Sequence, residues 1–269
     1  MTVINSIEIN NFRGIKQLTV SDFSKINLIV GDNNSGKTTF LEAIQLLFAK
    51  PQLSYVRNVI NQRTILKPNN SFYTSFIKMF NIQHSSDRLE FDIYAHTNNG
   101  PFEFQLSGNE KSVPGDEVLQ ISKMSPRQKI EYRLNSPYIP DTARVFTGSI
   151  ATQNRGKEYE NNISCTSLDD RISGPLVKKE VHYIPSFGHL RYDLIKNIVE
   201  KPDYKQLAIN VLKQFDSSVA DICYTKADDG TFIETIITNK GVNMPFSIYG
   251  DGIKKILFIL NKMVDATDS

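Results

Sequence analysis

Gly31, Gly36, Lys37 and Thr38 stand in the stretch "GDNNSGKT" at the spacing G-x-x-x-x-G-K-[ST]. Each residue type has a chemical reason. The two glycines permit backbone angles that a side chain would block. The N–H groups of such a loop turn inward and cradle a phosphate, helped by the dipole of the helix that follows. Lys37 is placed to reach β- and γ-phosphate oxygens, and the Thr38 hydroxyl to ligate Mg²⁺. Asp32, Asn33, Asn34 and Ser35 fill the loop and Thr39 follows it, so Gly31 to Thr39 form the candidate phosphate-binding set.

A second glycine pair, Gly250 and Gly252, lies far downstream in "SIYGDGIKKILFIL" with Asp251 between them. A helix opening there would again present N–H groups to an anion, with Lys254 and Lys255 close by. A plain turn and helix start accounts for the same residues.

The elements that position these loops follow from periodicity. "VINSIEIN" alternates like a half-buried strand, "NFRG" reads as a turn and "IKQLTV" as the returning strand. "INLIV", Ile26 to Val30, is a continuous apolar run suited to a strand buried on both faces, and it enters the glycine loop directly. "KTTFLEAIQLLF" places Phe40, Leu41, Ile44, Leu47 and Phe48 at helical spacing, and Pro51 stops the helix. Residues 51–88 read as a helical or irregular insertion. "RLEFDIYAH" and "PFEFQLS" form an expected hairpin around "TNNG", which "EVLQISKM" and "QKIEYRLN" could extend. Residues 135–175, rich in Pro, Gly, Asn and Ser, read as a long loop region. "EVHYIPS" reads as a strand, "DYKQLAINVLKQF" as a helix, "VADICYTK" and "TFIETIITN" as a hairpin turning at "ADDG", and "GDGIKKILFILNKMVDA" as a final helix.

Composition narrows the class without naming it. The chain of 269 residues is 40% hydrophobic and 22% charged, ordinary for a globular protein with a sizeable core. Cys165 and Cys223 show no metal spacing, which suits a reducing compartment. No apolar run approaches the roughly 20 residues of a membrane helix, and the N-terminus lacks a signal peptide's regions. A cytoplasmic protein with no membrane partner is expected. The net charge of +2 gives no argument for nucleic acid.

Taken together, "IEINNFRGIKQLTV", "GDNNSGKTTFLEAI" and "YGDGIKKIL" resemble ABC-type ATPases of the RecF, SMC and OLD group, closest to the OLD-like ATPases of bacteria and phages. The resemblance spans nearly the whole chain in order, with no motif in the middle. It implies an α/β P-loop fold of the ABC ATPase type, with an antiparallel β lobe and a helical lobe carrying the signature. It implies one domain over 1–269, divided into 1–50, 51–175 and 176–269 and incomplete at its C-terminus. ATP and Mg²⁺ are the implied cofactors, held by Gly31–Thr39 as the Walker A loop. Gly250, Asp251 and Gly252 would be the signature loop, touching the γ-phosphate bound to a second subunit. Asp251 departs from the common signature, in which a serine precedes two adjacent glycines. Arg13 of "NFRG" is implied to lie near the nucleotide; a surface turn arginine is the equal alternative.

Hydrolysis needs carboxylates to order Mg²⁺ and position water. In this family they come from a Walker B strand ending in Asp-Glu, followed by a histidine, and the expected place lies after the signature helix. No run here ends that way; "RLEFDIYAH" and "VADICY" are unsuited. None of the histidines at 84, 96, 182 and 189 follows a suitable strand, and His189 reads as a loop or packing residue. The clustered carboxylates of an OLD nuclease domain are not seen, and "SLDD" and "ADD" read as solvated turns. Three readings stay open. One is an ATPase acting by ATP-dependent dimerisation, as a homodimer or with a partner ATPase or nuclease subunit, in DNA processing or antiphage defence. Another is a non-hydrolysing nucleotide-binding switch. The last is a DNA-binding protein using Arg127, Lys129 and Arg133 beside Tyr132, residues that a solvated strand face also explains.

Overall fold

The computed structural model describes residues 2–64, 71–81, 88–114, 117, 127, 130, 141–167, 181–185, 188–190 and 193–267. The chain divides into two compact units, Met1–Val177 and Lys178–Ser269.

The first unit is built on a six-stranded antiparallel sheet. Its strands are β1 (Ile4–Phe12), β2 (Ile15–Ser21), β3 (Arg88–Thr97), β4 (Gly100–Pro114), β5 (Thr142–Asn154) and β6 (Lys157–Thr166). Their order across the sheet is β2-β1-β3-β4-β5-β6. Alternation sets the inward face: Ile7 and Ile9 of β1, Phe91, Ile93 and Ala95 of β3, and Phe102, Phe104 and Leu106 of β4 are buried. The expected β3–β4 hairpin is present, with Thr97 opposite Gly100.

Helices α1 (Lys37–Leu47), α2 (Leu53–Thr64) and α3 (Phe72–Ile77) share the core with this sheet. Phenylalanines join the layers: Phe12 and Phe91 lie 4.9 Å apart, and Phe76 and Phe146 5.0 Å apart. The expected helical insertion in 51–88 is thus α2 and α3. Helix α1 buries Phe40, Ala43, Leu46 and Leu47, while Leu41 is exposed. Its apolar stripe is therefore rotated from the expected one, with Ala43 and Leu46 inward and Leu41 outward.

Three expectations are corrected. Ile26–Val30 is not a strand: Ile26 is 89% and Leu28 86% exposed. Strand geometry persists through hydrogen bonding to a neighbour, and no described strand pairs with this run. The chain instead turns at Asn27, whose amide bonds the backbone of Ser24 in both directions at 2.8 and 2.9 Å. The expected loop region 135–175 contains the β5–β6 hairpin. Residues 157–162 of β6 are polar because it is an exposed edge strand, so hydropathy did not reveal it. The strand expected at "EVHYIPS" is absent over its described residues 181–185. "EVLQISKM" and "QKIEYRLN" fall almost wholly outside the described residues.

The second unit has its own core. Strands β7 (Val219–Lys226), β8 (Phe232–Thr238) and β9 (Asn243–Pro245) form an antiparallel sheet in that order. Helices α4 (Lys196–Val199), α5 (Pro202–Lys213) and α6 (Asp251–Thr267) share its core, which includes Ile195, Leu212, Ile222, Ile236 and Phe258. Helix α5 begins with Pro202 and Asp203 in its first turn and ends on Lys213, all favourable to a helix at those ends. The expected β7–β8 hairpin turns at 227–231.

Candidate functional site

The glycine loop closes directly onto α1. Gly36 is the residue before the helix and has φ of 92°, which a side chain would strain. Asn34 is also left-handed, at φ 67°, a conformation asparagine tolerates better than most residues. Ser35 N–H donates to the Asp32 carbonyl at 3.2 Å, and Phe40 N–H to Gly36 at 2.9 Å. The loop is thus a tight turn whose last residue starts the helix.

Lys37 folds back over this turn. Its Nζ donates to the carbonyls of Gly31 and Asp32, each at 2.7 Å, and lies 3.4 Å from Ser35 Oγ. These bonds gather the ammonium over the loop instead of extending it into solvent. Gly31 to Ser35 and Thr38 are exposed, Gly36 and Lys37 are half-buried, and Thr39 is buried. An exposed Thr38 hydroxyl in the first helical turn, next to Lys37, is a fitting ligand for Mg²⁺, whose preference is for oxygen donors.

Arg13 lies in the β1–β2 turn, but its side chain is not on the surface. Its Nε lies 2.8 Å from Glu42 Oε2, with side-chain exposures of 11% and 1%. Its own N–H donates to the Met79 carbonyl at 2.7 Å, and its φ is 53°. The β1–β2 turn is therefore pinned to α1 about one and a half turns beyond Lys37. The surface alternative is corrected. Glu42 was not singled out from sequence, because no spacing rule relates positions 13 and 42.

The second glycine pair opens α6, with Asp251 as its first residue. Gly250, Asp251 and Gly252 are exposed, and a Cβ on either glycine would meet nothing within 4 Å. Lys254 Nζ donates to the Ser247 carbonyl at 3.2 Å, bracing the approach to the helix. Farther along, Asn261 is buried; its Oδ1 accepts from Asn197 N–H at 2.8 Å and its Nδ2 donates to the Asp193 carbonyl at 3.0 Å. The body of α6 is anchored while its start is open.

Burial, then the charge of Glu110, pushes the Cys165 thiol up to about 12, so it is no nucleophile near neutrality. Among the described residues no group of His, Cys, Asp or Glu could hold a metal ion. His96 belongs to β3, edge-on to Tyr94. Of the basic group on "SPRQKIEYRL", Arg127 is exposed, and Lys129, Tyr132 and Arg133 lie outside the described residues. "SLDD" lies outside them apart from Ser167. No helix among the described residues is long and apolar enough to cross a membrane.

The chain is 22% identical over 279 aligned positions to an ATP/GTP phosphatase of Helicobacter pylori, covering 96% of this chain and 72% of that protein. It is 48% identical over 44 residues to the DNA replication and repair protein RecF of Idiomarina loihiensis, which covers 16% of this chain and 12% of RecF. The RecF of Oenococcus oeni is 46% identical over the same length. The model of the AAA ATPase domain matches residues 3–259, and the chain belongs to that family.

Proposed function

We propose that this chain binds Mg²⁺-ATP at Gly31–Thr39 and works as an ABC-type ATPase module of the RecF/OLD kind. The loop geometry carries this reading: a left-handed Gly36 opens an apolar-faced helix, and Lys37 is already gathered over the turn. On binding, the ammonium exchanges the carbonyls of Gly31 and Asp32 for phosphate oxygens. Phosphate is the stronger partner because both groups are charged. Asn33, Asn34 and the N–H groups of the loop would be the further donors to that phosphate.

The switch we infer is nucleotide-dependent dimerisation. Gly250–Gly252 of one copy would engage the γ-phosphate held by another, or by a partner ATPase or nuclease subunit. ATP can favour the closed state only through contacts that ADP lacks, and the γ-phosphate is that difference. The RecF relatives are named for DNA replication and repair, which makes DNA processing the first setting to test and antiphage defence the second.

Substituting Lys37→Ala is expected to weaken ATP binding roughly 10- to 100-fold, about 1.5–3 kcal/mol for a lost charged contact. Calorimetric titration with ATP reads the affinity, and circular dichroism checks the fold. Unchanged affinity in a folded variant would sink the proposal.

A second reading is a nucleotide-binding switch that relies on another chain for hydrolysis. The buried carboxylate of α1, Glu42, is engaged by Arg13. In this reading another chain supplies the carboxylate that orders attacking water, and the exposed Ile26–Val30 run is where a further strand could pair. Steady-state phosphate release separates the readings: turnover above background supports the ATPase, and its absence with tight ATP binding supports the switch.

A further inference from the structure

His189 is buried beneath the start of α6 and is so far unexplained. It lies in a short 3₁₀ turn, Gly188–Leu190, and its side chain is 2% exposed. Both ring nitrogens lack a hydrogen-bond partner among the described residues. Gly188 is pressed against the Phe258 ring of α6 so closely that a Cβ would not fit unless something shifted, which brings this turn against the helix. The ring is aimed at the exposed end of α6, with Nε2 3.9 Å from Asp251 Oδ2. An imidazole gains this contact as an ion pair only when protonated.

Asp251 is the first residue of α6 and its carboxylate is 64% exposed. A negative side chain there favours the helix but opposes an incoming anion, because both seek the same N–H groups and the same positive end. We infer that His189 is a positioning residue that sets the charge of the α6 start through Asp251. Protonated, it draws the carboxylate toward the buried ring and offsets its charge, leaving the N–H group of Gly252 open to a phosphate, while Ile253 N–H stays bonded to the Gly250 carbonyl at 3.2 Å. Neutral, it leaves Asp251 competing with the phosphate for the same positive helix end. Asp251 is the ionisable group recorded facing His189 from α6. Lys254 is turned to the Ser247 carbonyl, and Lys255 stands one turn on, exposed. Engagement of a γ-phosphate by this loop then becomes proton-linked. That consequence rests on the two-subunit reading above, whereas the His189–Asp251 linkage itself does not.

Two measurements on the full chain keep the claims apart. The first is a double-mutant cycle in urea unfolding with His189→Gln, Asp251→Asn and the pair, at about pH 5.5 and about pH 8, on either side of the ordinary histidine range. A non-additive effect of roughly two- to fivefold in the unfolding constant is expected at the lower pH and none at the higher. Additivity at both pH values overturns the inference. Asp251→Asn is exposed, so its arm remains readable even if His189→Gln unfolds. Its destabilisation should then shrink as pH rises, and a pH-independent effect overturns the linkage. The second is ATP-driven self-association by sedimentation across the same range. Association should strengthen by a similar factor toward the lower pH, and Asp251→Asn should flatten that profile. No association at any pH, with the cycle still non-additive, overturns the two-subunit reading and upholds the linkage.

Discussion

The Arg13–Glu42 pair shows how far a single contact can commit a residue. Glu42 is 1% exposed, and a carboxylate so placed must be neutralised or paired. Arg13→Met is expected to destabilise the first unit by about 3–5 kcal/mol, because it removes one partner of a buried ion pair. The double variant Arg13→Met/Glu42→Leu should recover most of that loss. Thermal unfolding of the three proteins checks it, and equal losses in single and double variants would show that packing, not charge, dominates. The Lys37→Ala test belongs to the same scale, since it removes one ammonium and its bonds to the carbonyls of Gly31 and Asp32.

At the scale of elements, the joint between β8 and α4 carries a pH dependence. Glu234 of β8 accepts the N–H groups of Leu194 and Ile195, just before α4. Burial, the largest influence, raises its pKa above the ordinary 4.5 despite those bonds. A carboxyl whose pKa is raised by folding binds its proton more tightly in the folded state. Its contribution is fully present below 4.5 and is lost as pH rises through the folded value. Stability of the second unit should therefore fall over that window in the wild type. Glu234→Gln keeps an acceptor for both N–H groups and should flatten the profile, as read by urea unfolding from about pH 4 to about pH 7.

Across the molecule, each unit holds a separate apolar core, one on the six-stranded sheet and one on the three-stranded sheet. The run Ile26–Val30 belongs to neither, apart from its position beside the loop. Leu28→Ser is expected to change stability by no more than about 0.5 kcal/mol, as exposed positions do. Ile9→Ala, at a fully buried site of β1, should cost about 2–5 kcal/mol. Parallel melts of the two variants test this; a large loss for Leu28→Ser would mean that the run is buried in solution, as its apolar pattern first indicated.

Local rules were enough for the glycine turn and the bounds of α1, though not for the face it buries, because the bonds that shape the turn lie within the loop and the first helical turn. They were enough for β1–β2, β3–β4 and β7–β8 too, where alternation and turn residues are neighbours in sequence. They misplaced the β5–β6 hairpin, since a polar edge strand is specified by the strand beside it. They overstated Ile26–Val30, since an apolar run becomes a strand only where another strand receives its hydrogen bonds. The pairing of Arg13 with Glu42, and of His189 with Asp251, joins positions 29 and 62 residues apart. Sequence determined which groups could meet phosphate; only the tertiary structure decided which charges are buried together, because burial is a property of contacts between distant segments.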